Sequence, residues 1–348
     1  MLHVATAYSN PFRWRTRREL MNDFRLHMGE SPNVSLHVGE LAYGARPFEV
    51  SAADDDVRLR TTGELFSKEN ILNLTVQRFP ADWEYGAIID GDFHMTRRDW
   101  ALEAIHQLQH YDFVQLFSSY SDLTGNIYGA AHLPTQVKPS FAHSYINNGY
   151  KLPPGFLPGG WKVNKTAPAG YHPHPPHPPH PPHPPHKAVF WHPPVGATGG
   201  AWAFRRSAFE AVGGLLDVCI LGHGDWFMAF GLVSEPAPEV GLNSYTSGYR
   251  RVIDVWQQNA ARLKKNIGYV DNYALHFHHG SKDNRGYTTR YKVLVDNKFD
   301  PVTDLIRNSQ GVYQLAGNKP ALRDGIRSYL IGRNEDQVGG PETSKALV

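Results

Sequence analysis

Two aspartates one residue apart, Asp90 and Asp92, are the side chains of this sequence best placed to do chemistry. They follow the short apolar run Ala87–Ile89, whose β-branched residues favour a buried strand over the face of a helix. Gly91 between them lets backbone and ligand approach closely. Carboxylate oxygens suit Mn²⁺ or Mg²⁺ bridging phosphate oxygens. The motif therefore predicts a divalent cation held against a diphosphate, and the simpler alternative is a strand followed by an Asp-Gly turn.

Histidines form a second group of potential ligands, at 276, 278 and 279. The run 273–280 predicts a strand, and because side chains alternate along a strand, His276 and His278 should share one face. His279 should point the other way or begin a turn. Imidazole suits metals of the Mn²⁺ class and would complete a coordination shell of aspartate and phosphate oxygens. The alternative is a partly exposed, polar end of a strand.

Asp225 lies between a glycine-rich turn and an apolar helix predicted over 226–233. An aspartate in this position is either the N-cap of the helix or a general base directed at a hydroxyl nucleophile. Gly199 and Gly200 precede Trp202 in a stretch of small residues, where a ligand can lie against the backbone. Trp202 then either stacks on a sugar ring or packs in the core.

The elements that position these residues alternate between strand and helix over the first 118 residues, which predicts an α/β unit with a mostly parallel sheet. In open sheets of this kind ligands bind beyond the carboxyl ends of the strands, and the aspartate pair lies at such an end. The segment 300–332 is expected to be helical and polar. The other predicted elements are strands at 2–8, 34–38, 87–89, 113–117 and 273–280, and helices at 15–28, 68–74, 97–110, 206–212, 226–233 and 249–265.

Between about residue 120 and residue 194 this pattern gives way to Gly, Pro, Asn and His, and residues 172–186 are His and Pro only. A Pro-Pro-His repeat forms neither a helix nor a central strand, so an extended polyproline or disordered segment is expected. A solvated low-complexity insertion is favoured over a dedicated metal-binding tract.

Composition is that of an ordinary globular protein, with 348 residues, 41% hydrophobic and 20% charged. The net charge of +2 demands no polyanionic partner, although Arg13–Arg18 holds four arginines in six residues. The single Cys219 excludes an internal disulfide and a multi-cysteine zinc site, and a buried thiol is expected. We find neither a signal peptide nor an apolar run of ~18 residues, so a cytoplasmic location without a membrane span is expected.

The order of the motifs carries a resemblance to a known family. The Asp-x-Asp strand end is followed by Gly-Gly-Ala-Trp-Ala-Phe-Arg-Arg-Ser-Ala-Phe, Gly-Gly-Leu-Leu-Asp, Gly-His-Gly-Asp-Trp and His-Phe-His-His-Gly, with Arg285, Tyr287 and Arg290 after them. This order resembles the GT-A glycosyltransferases, especially the β-1,4-galactosyltransferase and polypeptide N-acetylgalactosaminyltransferase group. It looks closer still to compact GT-A proteins of bacteriophages. The resemblance covers residues 2–335 without the His/Pro tract.

The resemblance implies a single Rossmann-like α/β domain with a mixed, mostly parallel sheet and a C-terminal helical extension. A bacteriophage relative would act in the cytoplasm of its host. The implied division is a nucleotide-sugar half at 1–135, a flexible loop region at 136–188, an acceptor and catalytic half at 189–300, and a helical segment with a tail at 301–348.

The resemblance also assigns roles to single residues. Asp92 is implied as a ligand of Mn²⁺ or Mg²⁺, and Asp90 as a contact to the ribose or the metal. His279, then His276, is implied as the next ligand. Asp225 falls where the family carries its base in a Gly-x-Gly-Glu-Asp region, reduced here to one acid. The donor nucleotide is implied to bind Thr6, Ala7, Tyr8, Arg17, Lys68, Asn70, Asn73 and Gly91, and Gly199, Gly200 and Trp202 to line the sugar and acceptor site.

The implied reaction moves a sugar from a nucleotide-diphosphate sugar, first of all a UDP-sugar, to an acceptor hydroxyl. Attack from the opposite face gives inversion, and retention stays open because the fold hosts both outcomes. Hydroxymethylated DNA bases, glycans and proteins are the acceptor candidates, and no protein partner is indicated. The alternatives are a nucleotidyltransferase acting on a sugar phosphate and a non-catalytic metal-binding protein.

Overall fold

A computed structural model describes residues 1–124, 133–152, 195–235, 237, 244–287 and 289–337, so the predicted His/Pro tract lies outside the described residues. In this part of the chain, no helix is long and apolar enough to cross a membrane.

The helices are α1 (Arg15–Gly29), α2 (Lys68–Val76), α3 (Trp100–Gln107), α4 (Phe141–Asn147), α5 (Arg206–Val212), α6 (Gly224–Leu232), α7 (Ser247–Ala261), α8 (Tyr291–Asp296), α9 (Pro301–Asp304) and α10 (Pro320–Gly332). The strands are β1 (Leu2–Ser9), β2 (Val34–Tyr43), β3 (Val57–Thr61), β4 (Tyr85–Ile89), β5 (Phe93–Met95), β6 (Phe113–Gln115), β7 (Ser119–Asp122), β8 (Lys138–Pro139), β9 (Ala201–Arg205), β10 (Ile267–Tyr269), β11 (Tyr273–His276), β12 (Leu305–Arg307) and β13 (Tyr313–Leu315).

The largest sheet has seven strands in the order β10-β6-β9-β4-β1-β2-β3. Its strands are parallel except β9, which runs antiparallel to both β4 and β6. The predicted mixed, mostly parallel sheet is therefore confirmed. Strands β4 and β9 are almost entirely apolar, as expected for central strands that are covered on both faces.

Helices cover this sheet on both faces. One core cluster joins α2, α5, α6 and α7 around Phe204 and Phe227, and the other joins α1 and α3 around Phe24 and Trp100. All four aromatic side chains are fully buried, and each contributes roughly 1.5–3 kcal/mol of transfer free energy. These clusters hold β4 and its carboxyl end in a fixed position.

A second sheet of four short strands, in the order β5-β11-β7-β8, lies directly after the aspartate pair. Its strands have two to four residues, which is too short for a periodic signal, and β5, β7 and β8 were not predicted. The register places His276 opposite Phe93 on one side and opposite Asp122 on the other. The small sheet thus brings together three distant parts of the chain.

The C-terminal segment differs from the predicted run of helices. Between α9 and α10 the chain forms a hairpin of β12 and β13. Asn308 turns this hairpin, because its side-chain oxygen accepts the backbone N–H groups of Gln310 and Val312, and Gly311 has a φ of 85°. The prediction of a purely helical segment was wrong here, because this local turn chemistry outweighed the polar pattern.

Candidate metal and acid–base site

The aspartate pair connects the two sheets. Asp90 follows β4, and its backbone N–H donates to Gly200 O at 2.8 Å. The Phe93 N–H donates to Asp90 O at 3.0 Å, so Asp90–Phe93 is also a turn. A Cβ at Gly91 would lie 2.6 Å from the terminal carbon of Met21, so this flexible side chain would have to shift to admit one. The turn and the binding motif are therefore compatible, and the turn directs the two carboxylates to different surroundings.

Asp92 lies against two histidines. Its Oδ2 is 2.8 Å from His279 Nε2 and its Oδ1 is 3.7 Å from His276 Nε2. Among the described residues this is the group of three side chains whose ligand atoms lie within 4.8 Å of one another. Two atoms bound to one ion at ~2.1 Å each lie at most ~4.2 Å apart, so both separations to Asp92 fit. Asp92 Oδ1 is buried and accepts no hydrogen bond, which is an orphan acceptor that a cation would satisfy.

The geometry of the histidines differs from the expected strand pattern. Strand β11 ends at His276, so His278 and His279 lie beyond it and strand alternation does not apply to them. The chain turns at Gly280, where φ is 84°, and the structure brings His279 rather than His278 to Asp92.

Each histidine has a second carboxylate on its Nδ1 side, and the sequence analysis missed both. His276 Nδ1 is 2.7 Å from Asp122 Oδ1, and His279 Nδ1 is 3.8 Å from Glu335 Oε2. Asp122 is the last residue of a strand of four residues, and Glu335 lies just beyond α10. No local motif marks either residue, since both act through the tertiary structure.

The charges of this group reinforce one another. Burial disfavours the carboxylate of Asp92, but His279 and His276 outweigh it and hold the pKa of Asp92 well below its usual range. Burial opposes the charged form of His276, and the adjacent Asp92 and Asp122 still raise its pKa. Asp92 is thus a carboxylate over the whole physiological range, as a metal ligand must be.

Asp90 has a different partner. The Lys68 ammonium lies 3.1 Å from its Oδ1 and 3.3 Å from its Oδ2. Burial raises the pKa of Asp90, and Lys68 only partly offsets this effect. The group around Asp92 does not include Asp90. Of the two aspartates expected to hold metal, one is therefore paired with a lysine.

Asp225 lies in the first turn of α6, whose N-cap is His223, so Asp225 is not the N-cap. Thr198 Oγ1 donates to Asp225 Oδ2 at 3.4 Å. A Cβ at Gly199 would lie 2.4 Å from the same oxygen, so this carboxylate rests on the Gly199 backbone. The charge of Asp225 contributes to the raised pKa values of Lys68 and Asp90.

Glu69 is a further acid that sequence reasoning passed over. It is the second residue of α2, is 3% exposed, and lies 3.9 Å from Lys68 Nζ. Its carboxyl group packs against Gly224, since a Cβ there would lie 2.9 Å from Glu69 Cδ. Burial raises the pKa of Glu69 to about 7 against the effect of Lys68, and Asp225 adds to the rise. Its polar neighbours at the start of the helix gave no sign of this burial.

The residues predicted to bind the nucleotide on β1 and at the start of α1 differ in whether their polar atoms already have partners. Thr6 is fully buried, and its Oγ1 has no hydrogen-bond partner and lies 3.7 Å from the Cβ position of Gly91. Ala7 is half-buried beside it. Tyr8 donates to Glu49 at 2.5 Å, and Arg17 is bonded to Glu335 and to Ser9 O. Thr6 is therefore the member of this group with unused hydrogen-bonding capacity next to the aspartate motif.

Three other predicted residues hold the chain together. Asn73 binds both backbone groups of Leu215, donating at 2.9 Å and accepting at 2.8 Å. Asn70 accepts from the Tyr313 N–H at 3.1 Å, which fixes the hairpin of β12 and β13. Trp202 is 7% exposed and donates to Thr198 O at 2.8 Å, which is the packing arrangement.

Two buried arginines lie beside Tyr287, and one of them, Arg285, contacts His279 of the group around Asp92. Arg285 Nη2 is 2.9 Å from His279 Nε2, and its Nη1 donates to the Tyr287 hydroxyl at 3.1 Å. Arg290 lies over the Tyr287 ring at 5.1 Å. The two side chains are 9% and 8% exposed, and their Nε atoms have no hydrogen-bond partner. The site therefore combines the Asp92 carboxylate with a guanidinium in contact with His279, and each of the two arginines has an Nε donor without a partner.

Comparison with models of known protein families gives no match for this chain, and no curated protein matches its sequence.

Proposed function

We propose that this chain is a metal-dependent glycosyltransferase of the GT-A type, which transfers a sugar from a nucleoside diphosphate sugar to an acceptor hydroxyl. The observation that carries the proposal is the group of Asp92, His276 and His279 at the junction of the two sheets. When bound there, a Mn²⁺-class ion would neutralise the charge that develops on a leaving diphosphate. The mixed, mostly parallel sheet agrees with the fold that the sequence resemblance implies.

Two buried arginines, Arg285 in contact with His279 and Arg290 over the Tyr287 ring, support a diphosphate donor. Arg285 and Arg290 are buried, keep their charge at any physiological pH, and have unused Nε donors. Guanidinium groups bind phosphate oxygens with directional, charge-assisted hydrogen bonds. UDP-sugars are the first donors to test.

Asp225 is the proposed general base. Its carboxylate is supported by Thr198 and by the Gly199 backbone. It would take the proton of the acceptor hydroxyl while the hydroxyl oxygen forms a bond to the anomeric carbon. The bond from that carbon to the diphosphate breaks in the same step, and attack from the opposite face inverts the configuration. Hydroxymethylated pyrimidines in DNA and glycans are the acceptors to test.

The decisive experiment is a panel of nucleotide sugars incubated with the full chain in Mn²⁺ or in EDTA, with hydrolysis, donor binding and, once a candidate acceptor is added, sugar transfer as readouts. We expect EDTA-sensitive hydrolysis with one donor, loss of hydrolysis in Asp92→Ala, and loss of transfer with near-normal donor affinity in Asp225→Asn. The matched control is Asp99→Asn, an exposed aspartate paired with Arg97. Absence of metal-dependent binding or hydrolysis with every donor would refute the proposal.

Two other outcomes assign a different function. Formation of pyrophosphate from a nucleoside triphosphate and a sugar phosphate would make the chain a nucleotidyltransferase. Loss of all metal binding on deletion of residues 172–186, with Asp92→Ala unchanged, would make it a metal-binding protein of the His/Pro tract.

A further inference from the structure

Asp122 lies directly behind His276 as seen from Asp92. The two residues are partners in the parallel pairing of β7 and β11, so the backbone ladder sets their separation. His276 Nδ1 is 2.7 Å from Asp122 Oδ1, while Nε2 of the same ring is 3.7 Å from Asp92 Oδ1. The imidazole is therefore placed between two carboxylates, one at each nitrogen.

Asp122 is itself held in place. Lys138 Nζ donates to its Oδ2 at 2.8 Å, Lys282 donates to the same oxygen, and the Asp122 backbone carbonyl accepts from Thr135 at 2.8 Å. Two ammonium groups on Oδ2 leave Oδ1 for the histidine. A carboxylate without a proton is only an acceptor, so the Nδ1 of His276 must be the donor. In the neutral ring, Nε2 then carries the lone pair, and it faces Asp92.

His279 has no equivalent support. Its Nδ1 is 3.8 Å from Glu335, which is beyond hydrogen-bond distance, and Glu335 is already bonded to Arg17 and Arg333. The Nε2 of His279 is contacted by Arg285 at 2.9 Å. The two histidines are therefore held differently: a carboxylate engages Nδ1 of His276, whereas a guanidinium, which can only donate, engages Nε2 of His279, the nitrogen that faces Asp92.

We propose that Asp122 is the positioning residue of the metal site, because its hydrogen bond to Nδ1 of His276 keeps Nε2 of that ring directed at the ion held by Asp92. Outer-shell carboxylates of this kind fix the tautomer of a ligating histidine and raise its basicity. The inference rests on the proposed metal site, but not on the sugar donor or the acceptor.

The first measurement is made on the unaltered, metal-free protein. Long-range ¹H–¹⁵N NMR with labelled histidine, assigned with His276→Gln, should show the proton of neutral His276 on Nδ1. A proton on Nε2 would overturn the inference regardless of how any variant folds.

The second measurement is the affinity for Mn²⁺ alone, determined by calorimetry. Asp122→Asn keeps the shape of the side chain, and we expect Mn²⁺ to bind it 10- to 100-fold more weakly, with a mixture of His276 tautomers. Asp99→Asn should bind Mn²⁺ like the unaltered protein. Equal affinity of Asp122→Asn and the unaltered protein, or absence of Mn²⁺ binding in both, would overturn the inference. Mn²⁺ binding without reaction of any nucleotide sugar would refute the proposed function and leave the role of Asp122 intact.

Discussion

The two aspartates of the motif belong to regions with opposite electrostatics. The metal side, formed by Asp92, His276 and His279, is built on the small sheet, and there histidines lower the pKa of the carboxylate. The acid side comprises Asp90, Glu69 and Asp225 around Lys68, and there burial raises the pKa of Asp90 and Glu69. Neighbouring carboxylates disfavour each other's ionisation. The turn at Gly91 separates the pair, so that one carboxylate can serve as an ion ligand while the other pairs with a lysine.

The largest expected effect separates the two sides by metal affinity. Asp92→Asn should reduce Mn²⁺ affinity by at least 100-fold, because it removes the charged ligand at the centre of the group, more than loss of an outer-shell partner costs. Asp90→Asn should change Mn²⁺ affinity by less than 10-fold, because Asp90 is bonded to Lys68. Calorimetry with Mn²⁺ alone measures both. Similar losses in the two variants would mean that both aspartates bind the ion.

The acid side should also make the stability of the protein depend on pH. Glu69 has a pKa of about 7 in the folded protein against a reference value of 4.5. Below pH 4.5 the carboxyl group is protonated in both the folded and the unfolded state, so its ionisation does not lower the free energy of unfolding there. As pH rises from 4.5 through 7, the unfolded state loses this proton first and stability falls. The full difference is on the order of 3 kcal/mol. Glu69→Gln should therefore gain stability relative to the unaltered protein between pH 4 and pH 8.

Urea unfolding of the metal-free protein at the two pH values measures this gain. The charges of Lys68, Asp225 and Asp90 act on Glu69 and are unchanged in the variant, so they are present in both proteins that are compared. A stability difference between the two proteins that does not vary with pH would place the titration elsewhere.

Much of the fold could be predicted because its signals are local. Apolar runs and turn residues identified β1, β2, β4 and β6 and the helices around them, and the aspartate pair follows from the end of β4. The small sheet could not be predicted in this way. Its strands are too short for periodicity, and the placement of His279 depends on a turn after β11 rather than on strand alternation.

The supporting residues of the site were beyond sequence reasoning for a related reason. Asp122 and Glu335 are recognisable only by what lies next to them in space, namely a histidine and a pair of cations each. Glu69 looks like an ordinary polar residue at a helix start, and only the packing of Gly224 against it reveals its burial. Polar side chains carry no periodic signal when tertiary contacts alone bury them.

The smallest expected effect concerns Asn73, which lies in the same helix as Lys68 and Glu69 of the acid side. The resemblance assigns its amide to the nucleotide, whereas in the structure the amide binds both backbone groups of Leu215 next to Gly214. Asn73→Ala would leave these groups without their partners, at a cost of about 1–3 kcal/mol in unfolding free energy. Donor affinity should stay within a factor of 3, because both polar atoms of the amide are already engaged. Urea unfolding and a donor titration on the same variant separate the two roles, and a large loss of affinity at unchanged stability would return Asn73 to the nucleotide site.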